Sequence, residues 1–255
     1  MGNVKTAIPG LDELIEGGYV ENDVILVTGG PGAGKTTFGI QYLVGGAVNY
    51  NEPGVLVVMD ETPARIRRDS LRFGWDIEML IAQKKMRIIY ANPFKYAKIA
   101  KLREERPMNV ITANKNISDI LTQIQNEASE IKAKRVFIDS ITSLKLSTEP
   151  VETRYNVEEF IKNLENLDCT TLMTSEIQGQ QAFSVEEYLS SGVVRLHVFR
   201  VGGSRVRAIE ILKMRGVKHD ETLHPYEIQE KGIIVHPTEV VMNDEISLFE
   251  TRDAS

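Results

Sequence analysis

The segment Gly29-Gly30-Pro31-Gly32-Ala33-Gly34-Lys35-Thr36 most constrains what this chain can become. It sits between the apolar, β-branched run Val24–Val27 and a helix-length apolar stretch from Lys35 to Val48. The spacing is G-x-x-x-x-G-K-[ST], with a strand before it and a helix after it. Glycines let backbone N–H groups turn inward around phosphate oxygens, and the helix N-terminus adds positive potential. Lys35 is expected to reach the β- and γ-phosphates of a nucleotide, and Thr36 to ligate Mg²⁺. The backbone through Thr37 completes the expected phosphate cradle.

The rest of the pattern predicts an α/β fold. Val55–Met59 is a second apolar run and ends in Asp60-Glu61. Val136–Ile138 is a third and ends in Asp139. Thr170–Thr174 is a fourth and ends in Ser175-Glu176. Between them, Ile117, Ile120, Leu121, Ile124, Ala128 and Ile131 fall at helical spacing after Asn116, a candidate N-cap. Val157, Phe160, Ile161, Leu164 and Leu167 make a further amphipathic helix. Buried runs alternating with helices predict a mostly parallel central sheet flanked by helices. From Val193 the pattern changes to two strands around Gly202-Gly203-Ser204, followed by short segments at Tyr226–Ile228 and Ile233–Val235. The expected organisation is one domain over 1–237 with a C-terminal antiparallel β extension, and a tail over 238–255.

The chain has 255 residues, 42% of them hydrophobic, enough to bury a core without a staple. Its single cysteine, Cys169, excludes an internal disulfide and a cysteine-based zinc site. No apolar run approaches the ~20 residues of a membrane span, and no signal-peptide h-region opens the chain, so a cytoplasmic protein is expected. The net charge of -6 is unevenly spread. Residues 84–115 carry nine basic and two acidic side chains, a local +7 against -13 elsewhere. That balance argues against bulk nucleic-acid binding and leaves one basic segment, Lys84–Lys115, to explain.

The strand-end carboxylates have two readings each. Asp139 can hold the water shell of Mg²⁺, or cap a turn or helix. Asp60 or Glu61 can act as general base on a water at the γ-phosphate, or the pair can cap a helix before Thr62-Pro63.

Taken in order, these motifs resemble the RecA superfamily, and more closely the KaiC-like ATPases, as a single KaiC domain of the archaeal type. Ile8-Pro9-Gly10-Leu11-Asp12 with Gly17-Gly18 resembles the family's lead-in to its first core strand. Asp60-Glu61-Thr62-Pro63 with Phe73-Gly74-Trp75-Asp76 resembles its catalytic-glutamate segment, and Val136-Phe137-Ile138-Asp139-Ser140 its Walker B strand. Lys213-Met214-Arg215-Gly216 with His219, then Pro225-Tyr226 and Gly232-Ile233, resembles its C-terminal signature. The resemblance spans residues 4–237.

It implies a RecA-like P-loop NTPase that binds ATP and Mg²⁺ between subunits of a homo-oligomeric ring, usually a hexamer. Lys213 and Arg215, with Met214 between them, then act on the neighbour's nucleotide. Residues i and i+2 of a strand project to one side, so both cations can face one anion. The alternative is a solvated Lys/Arg face. His219 matches a position near the phosphates, Glu230 an acidic position near the neighbour's nucleotide, and Arg72 a position near the base or ribose.

The chain departs from the family in three places. Asp60 stands where the family usually has glutamate, retracting that carboxylate by about 1.5 Å, one C–C bond; if it is the base, hydrolysis is slow or water-mediated. Glu187-Tyr188 stand where the second domain of a tandem relative has adjacent Ser/Thr positions that it phosphorylates, so that relative's autokinase cycle is not expected. The basic segment near 93–115 replaces a more acidic, Gly-rich stretch that carries a partner-docking loop in a relative.

Pro93 to Pro107 mixes Phe94 and Tyr96 with cations. Three readings stand: a solvated helix face over Tyr96–Glu105, a dock for an acidic protein partner, or a nucleic-acid contact. The segment where recombinases place a DNA-binding loop, 177–191, has Glu186 and Glu187 and no Lys or Arg, which argues against a filament-forming recombinase. The sequence therefore predicts an ATPase coupling nucleotide state to assembly or partner binding. The competing readings are an ATP-gated scaffold with negligible turnover, as in archaellum-associated relatives, and a RadA-paralog-like DNA-repair accessory.

Overall fold

The structure is a computed structural model describing residues 2–91, 110–112, 117–146, 150–176, 184–201 and 203–241. A two-stranded ribbon, β1 (Asn3–Val4) against β2 (Tyr19–Val20), brackets the short helix α1 (Leu11–Leu14). The main sheet comprises β3 (Val24–Gly29), β4 (Gly54–Val58), β5 (Met86–Tyr90), β6 (Val110–Thr112), β7 (Arg135–Asp139), β8 (Thr170–Glu176), β9 (Gly192–Val201), β10 (Ser204–Met214), β11 (His224–Gln229) and β12 (Gly232–Val235). Their order is β12-β11-β10-β9-β3-β8-β7-β4-β5-β6. From β9 to β6 every pairing is parallel. From β9 to β12 every pairing is antiparallel. Both halves of the expected sheet are therefore present.

The central strands are apolar on both sides because both faces are covered. β3, β4 and β7 are buried at every residue. One face packs on α2 (Lys35–Asn49), α3 (Pro63–Leu71) and α4 (Ile77–Ala82), through Phe38, Leu43, Ile66, Ile77 and Leu80. The other packs on α5 (Ile117–Ile131), α6 (Ile141–Leu146) and α7 (Pro150–Glu165), and on the short α8 (Val185–Leu189). Helix α5 shows why: Ile120, Ile124, Ala128 and Ile131 are its buried residues, spaced to form one stripe. Each buried aliphatic side chain of this size contributes roughly 1.5–3 kcal/mol.

Helix α2 approaches the sheet at glycine. A Cβ at Gly39 would overlap the Phe137 ring, and one at Gly46 the Arg135 guanidinium. A helix-interior glycine costs ~1 kcal/mol against alanine; here it admits a bulky β7 side chain beneath the helix that starts the phosphate loop.

The crossover from β3 to β4 leaves β8 and β7 between them. Gly29 is in register with Glu176, and Val58 with Asp139. The carboxyl ends of four parallel strands thus line up on one edge, where open α/β sheets bind ligands. Among the described residues no helix is long and apolar enough to cross a membrane. Residues 242–255 of the expected tail, and Asn116 and most of the basic segment, lie outside the described residues.

Candidate functional site

The phosphate loop runs from the end of β3 to the start of α2, with Gly32 and Gly34 at φ 76° and 95°. These left-handed conformations suit glycine, and they turn the loop. The loop is braced from the antiparallel side. Tyr226 Oη donates to the Ala33 carbonyl at 2.5 Å, and a Cβ at Gly34 would fall 2.8 Å from Ile228 Cδ1. Gly29 and Ala33 are buried, while Pro31 and Gly32 are exposed and Gly30, Gly34 and Thr37 partly so.

Lys35 lies back over the loop, donating to the carbonyls of Gly29 at 2.7 Å and Gly30 at 3.3 Å. Burial lowers its pKa, opposed by the negative charges of Glu176 and Asp139. Thr36 Oγ1 donates to Asp139 Oδ2 at 2.6 Å, and Thr174 Oγ1 to Asp139 Oδ1 at 2.5 Å. Burial pushes the Asp139 carboxyl up, while the two hydroxyls pull it down. Asp139 caps no helix: both its oxygens face threonines. A hydroxyl and a carboxylate oxygen in contact beside the phosphate loop are the hard donors Mg²⁺ takes, so these residues fit the ion.

Asp60 and Glu61 do not cap α3 either. Thr62 does, its side chain accepting from Arg65 N at 3.4 Å with Pro63 in the first turn. Asp60 instead accepts from Ser140 Oγ at 2.6 Å and from Ser143 Oγ. Glu61 lies 3.7 Å from Arg65; burial is the first cause raising its pKa. Glu176 was not singled out from sequence. The only signal was a carboxylate at a strand end, and its value depends on β8 lying next to β3, a non-local fact.

Lys213 and Arg215 occupy the opposite end of the sheet. Lys213 pairs with Val193, which pairs with Leu26, and the Arg215 amide bonds the Ser191 carbonyl, whose own amide bonds Val24. Arg215 is thus level with Val24, about 16 Å below Gly29 at ~3.3 Å per residue. Their side chains converge, as the i, i+2 spacing predicts. Lys213 Nζ donates to the Glu187 carbonyl at 2.7 Å and the Tyr188 carbonyl at 3.2 Å, and Arg215 Nη2 to the Tyr188 carbonyl at 3.1 Å. Met214 between them is buried against Gly192, and its carbonyl accepts from the Val217 amide at 3.3 Å, so its side chain is not presented to a ligand. His219 Nδ1 lies 3.2 Å from the Val217 carbonyl. Glu230, in the exposed β11–β12 turn, precedes Gly232, where a Cβ would fall 2.7 Å from Trp75 Cζ2. Trp75 stacks on Phe73 at 4.7 Å, directly after exposed Arg72. The fold thus brings the Arg72 segment and the β11–β12 turn to one side of α2.

In the described part of the basic segment, Lys85 and Arg87 are engaged internally and Lys84 is exposed. Arg87 pairs with Glu127 at 3.4 Å and Glu130 at 2.8 Å, and Lys85 Nζ donates to the Ala47 carbonyl. Residues 92–109 and 113–116, which hold the aromatic-cation mixture and Lys101–Glu105, lie outside the described residues.

Comparison with known proteins shows the family and the fold. The family described as ATPase, KaiC, matches residues 4–240. A UPF0273 protein of Methanocaldococcus jannaschii is 38% identical over 244 residues, covering 94% of this chain and 99% of that protein. The circadian clock oscillator protein KaiC of Parathermosynechococcus lividus is 34% identical over 238 residues, covering 91% of this chain and 42% of that protein. The crystal structure of a KaiC-like protein from Pyrococcus horikoshii OT3 superimposes with a TM-score of 0.79 at 34% identity, covering 92% of this chain and 99% of that one.

Proposed function

Because this chain belongs to the KaiC family of ATPases, we propose that it binds MgATP at its phosphate loop, between subunits of a homo-oligomeric ring, and hydrolyses it slowly to ADP and phosphate. Nucleotide state then biases subunit contacts or the binding of a partner. The observation that supports this reading is the separation of the phosphate loop from the Lys213–Arg215 pair. The phosphate loop, Thr36, Asp139 and the Asp60-Glu61 pair stand at the carboxyl edge of the sheet. Lys213, level with Leu26, and Arg215, level with Val24, stand about 10 Å and about 16 Å away along the strands, with their charges directed at helix carbonyls that a phosphate oxygen can replace. Their distance from their own loop supports a role at a neighbour's.

Lys35 and the N–H groups of 32–37 would hold the phosphates, and Thr36 and Asp139 the Mg²⁺. When bound, the ion would neutralise charge on the β- and γ-phosphates. Asp60 or Glu61 would orient the attacking water and take its proton. Lys213 and Arg215 of the adjacent subunit, with His219 nearby, would stabilise the charge that develops on the transferring phosphoryl group. The undescribed part of the basic segment remains the candidate dock for an acidic protein partner.

Mass-resolved sizing with and without MgATP, with turnover measured on the same sample, tests the reading. A nucleotide-dependent ring with multiple turnovers is expected. A monomer at all nucleotide concentrations would overturn the shared site, and a ring without turnover would leave an ATP-gated scaffold.

A further inference from the structure

We propose that Ser143 is a positioning residue for the Asp60 carboxylate, and that the Ser140–Ser143 pair is what fits an aspartate to this place. The proposal rests on the hydrolytic reading above and names residues that hold its water-facing carboxylate.

Ser140 follows the last residue of β7, and Ser143 lies in the first turn of α6. The Ser143 amide bonds the Ser140 carbonyl at 3.3 Å, and residues three apart on a helical turn share a face. Both are buried, at 4% and 5% exposure. Ser140 Oγ donates to Asp60 Oδ2 at 2.6 Å, and Ser143 Oγ donates to Oδ1. A buried hydroxyl deprived of its partner costs ~1–3 kcal/mol, so the serines hold the carboxylate as firmly as it holds them.

Two donors on two different oxygens fix both the position and the rotation of the carboxylate. Each oxygen keeps a lone pair, and Asp60 is exposed, so those lone pairs are available to water. Asp139 on β7, Glu61 beside it and Tyr90 on β5 are the groups that feel its charge. Among the described side chains no cation lies within ion-pair distance of Asp60, and the two serines are its hydrogen-bond donors there. A glutamate here would carry its carboxylate about 1.5 Å further out along the side chain, altering its reach to both hydroxyls. The shorter side chain and the serine pair are matched.

The test compares Ser143→Ala and Ser143→Thr in the full-length protein, alone and with Asp60→Asn. Ser143→Ala is expected to lower kcat by roughly tenfold to a hundredfold, the scale of a misplaced reacting group, with KM for ATP within about twofold. Ser143→Thr, which keeps the hydroxyl, is expected to restore most of kcat. In the Asp60→Asn background Ser143→Ala should lower kcat no further. A crystal structure of Ser143→Ala should show the Asp60 carboxylate turned away from its wild-type position. A kcat within about twofold of wild type, or an unmoved Asp60 in that crystal structure, overturns the proposal. Absence of turnover in the wild type would instead reject the hydrolytic reading, and the crystal structure would still decide the clamp.

Discussion

The Thr36 hydroxyl donates to Asp139 Oδ2 at 2.6 Å, joining residues 103 positions apart at the edge of the sheet. Burial raises the Asp139 pKa despite this bond and the one from Thr174. In the absence of Mg²⁺ the folded state therefore binds this proton more readily than the unfolded chain does. Its ionisation destabilises the fold at neutral pH, and the cost is relieved as pH falls through the raised value toward about 4, the ordinary carboxylate value. Asp139→Asn should remove that slope and be at least as stable as wild type at pH 7. Denaturant titrations across pH 4–7 without Mg²⁺ (about three units upward from the ordinary value) read both effects; an unchanged slope would contradict them.

Lys35→Ala should leave the fold intact and weaken ATP binding by about a hundredfold or more, given ~1.5–3 kcal/mol for each hydrogen bond to a charged group. Calorimetric titration with MgATP measures it. Wild-type affinity in the variant would remove the phosphate site from the loop.

Arg215→Ala should bind ATP within a few-fold of wild type yet turn over about a thousandfold more slowly, the scale of a lost arginine acting on a transferring phosphoryl group. Mixing Arg215→Ala with Lys35→Ala subunits should recover activity above either alone, because each supplies the half-site the other lacks. No recovery in verified mixed assemblies would place Arg215 outside the neighbour's site.

Arg135 is fully buried, its Nε donating to Glu52 at 2.7 Å with Nη2 in ion-pair contact at 2.5 Å, its Nη1 donating to the Tyr42 carbonyl at 2.9 Å, and its guanidinium 4.5 Å from the Tyr42 ring centre. Glu52→Ala strands that charge and should cost ~3–5 kcal/mol. Adding Arg135→Met should recover much of the loss, since an apolar side chain needs no counter-ion there. Urea unfolding of the single and double variants makes the comparison.

Cys169 is buried with Sγ 3.2 Å from the Ala133 carbonyl, and burial pushes its pKa up to about 11. At neutral pH a thiol reagent should modify it only at the rate of unfolding. Rapid labelling of the folded protein would show that the α7–β8 turn opens locally where it packs on Ala133.

The order of these groups along the chain was legible because each sits where a local pattern ends. Asp60, Asp139 and the phosphate loop follow apolar runs, so their position at strand ends required no tertiary information. The start of α7 at Pro150 was less legible, because periodicity showed only from Val157. β5 was missed altogether: Met86-Arg87-Ile88-Ile89-Tyr90 interposes an arginine in a short run, and only its pairing with β4 identifies it. The serine clamp on Asp60 joins residues 80 and 83 positions apart, and nothing local marks it. Met214 sits between two cations in the motif but turns into the core, a consequence of strand alternation against β9.

The outermost strand, β12, has its free side already occupied. Gln41 of α2 donates to the Ile233 carbonyl at 2.9 Å and accepts from the Ile233 amide at 2.6 Å, and the Val235 amide bonds the Pro9 carbonyl. A glutamine side chain thus stands in for a neighbouring strand. This margin offers no template for continuing the sheet into another molecule, so association at this end has to proceed through side chains and loops, leaving orientation between copies adjustable where a shared ladder of backbone bonds would lock it.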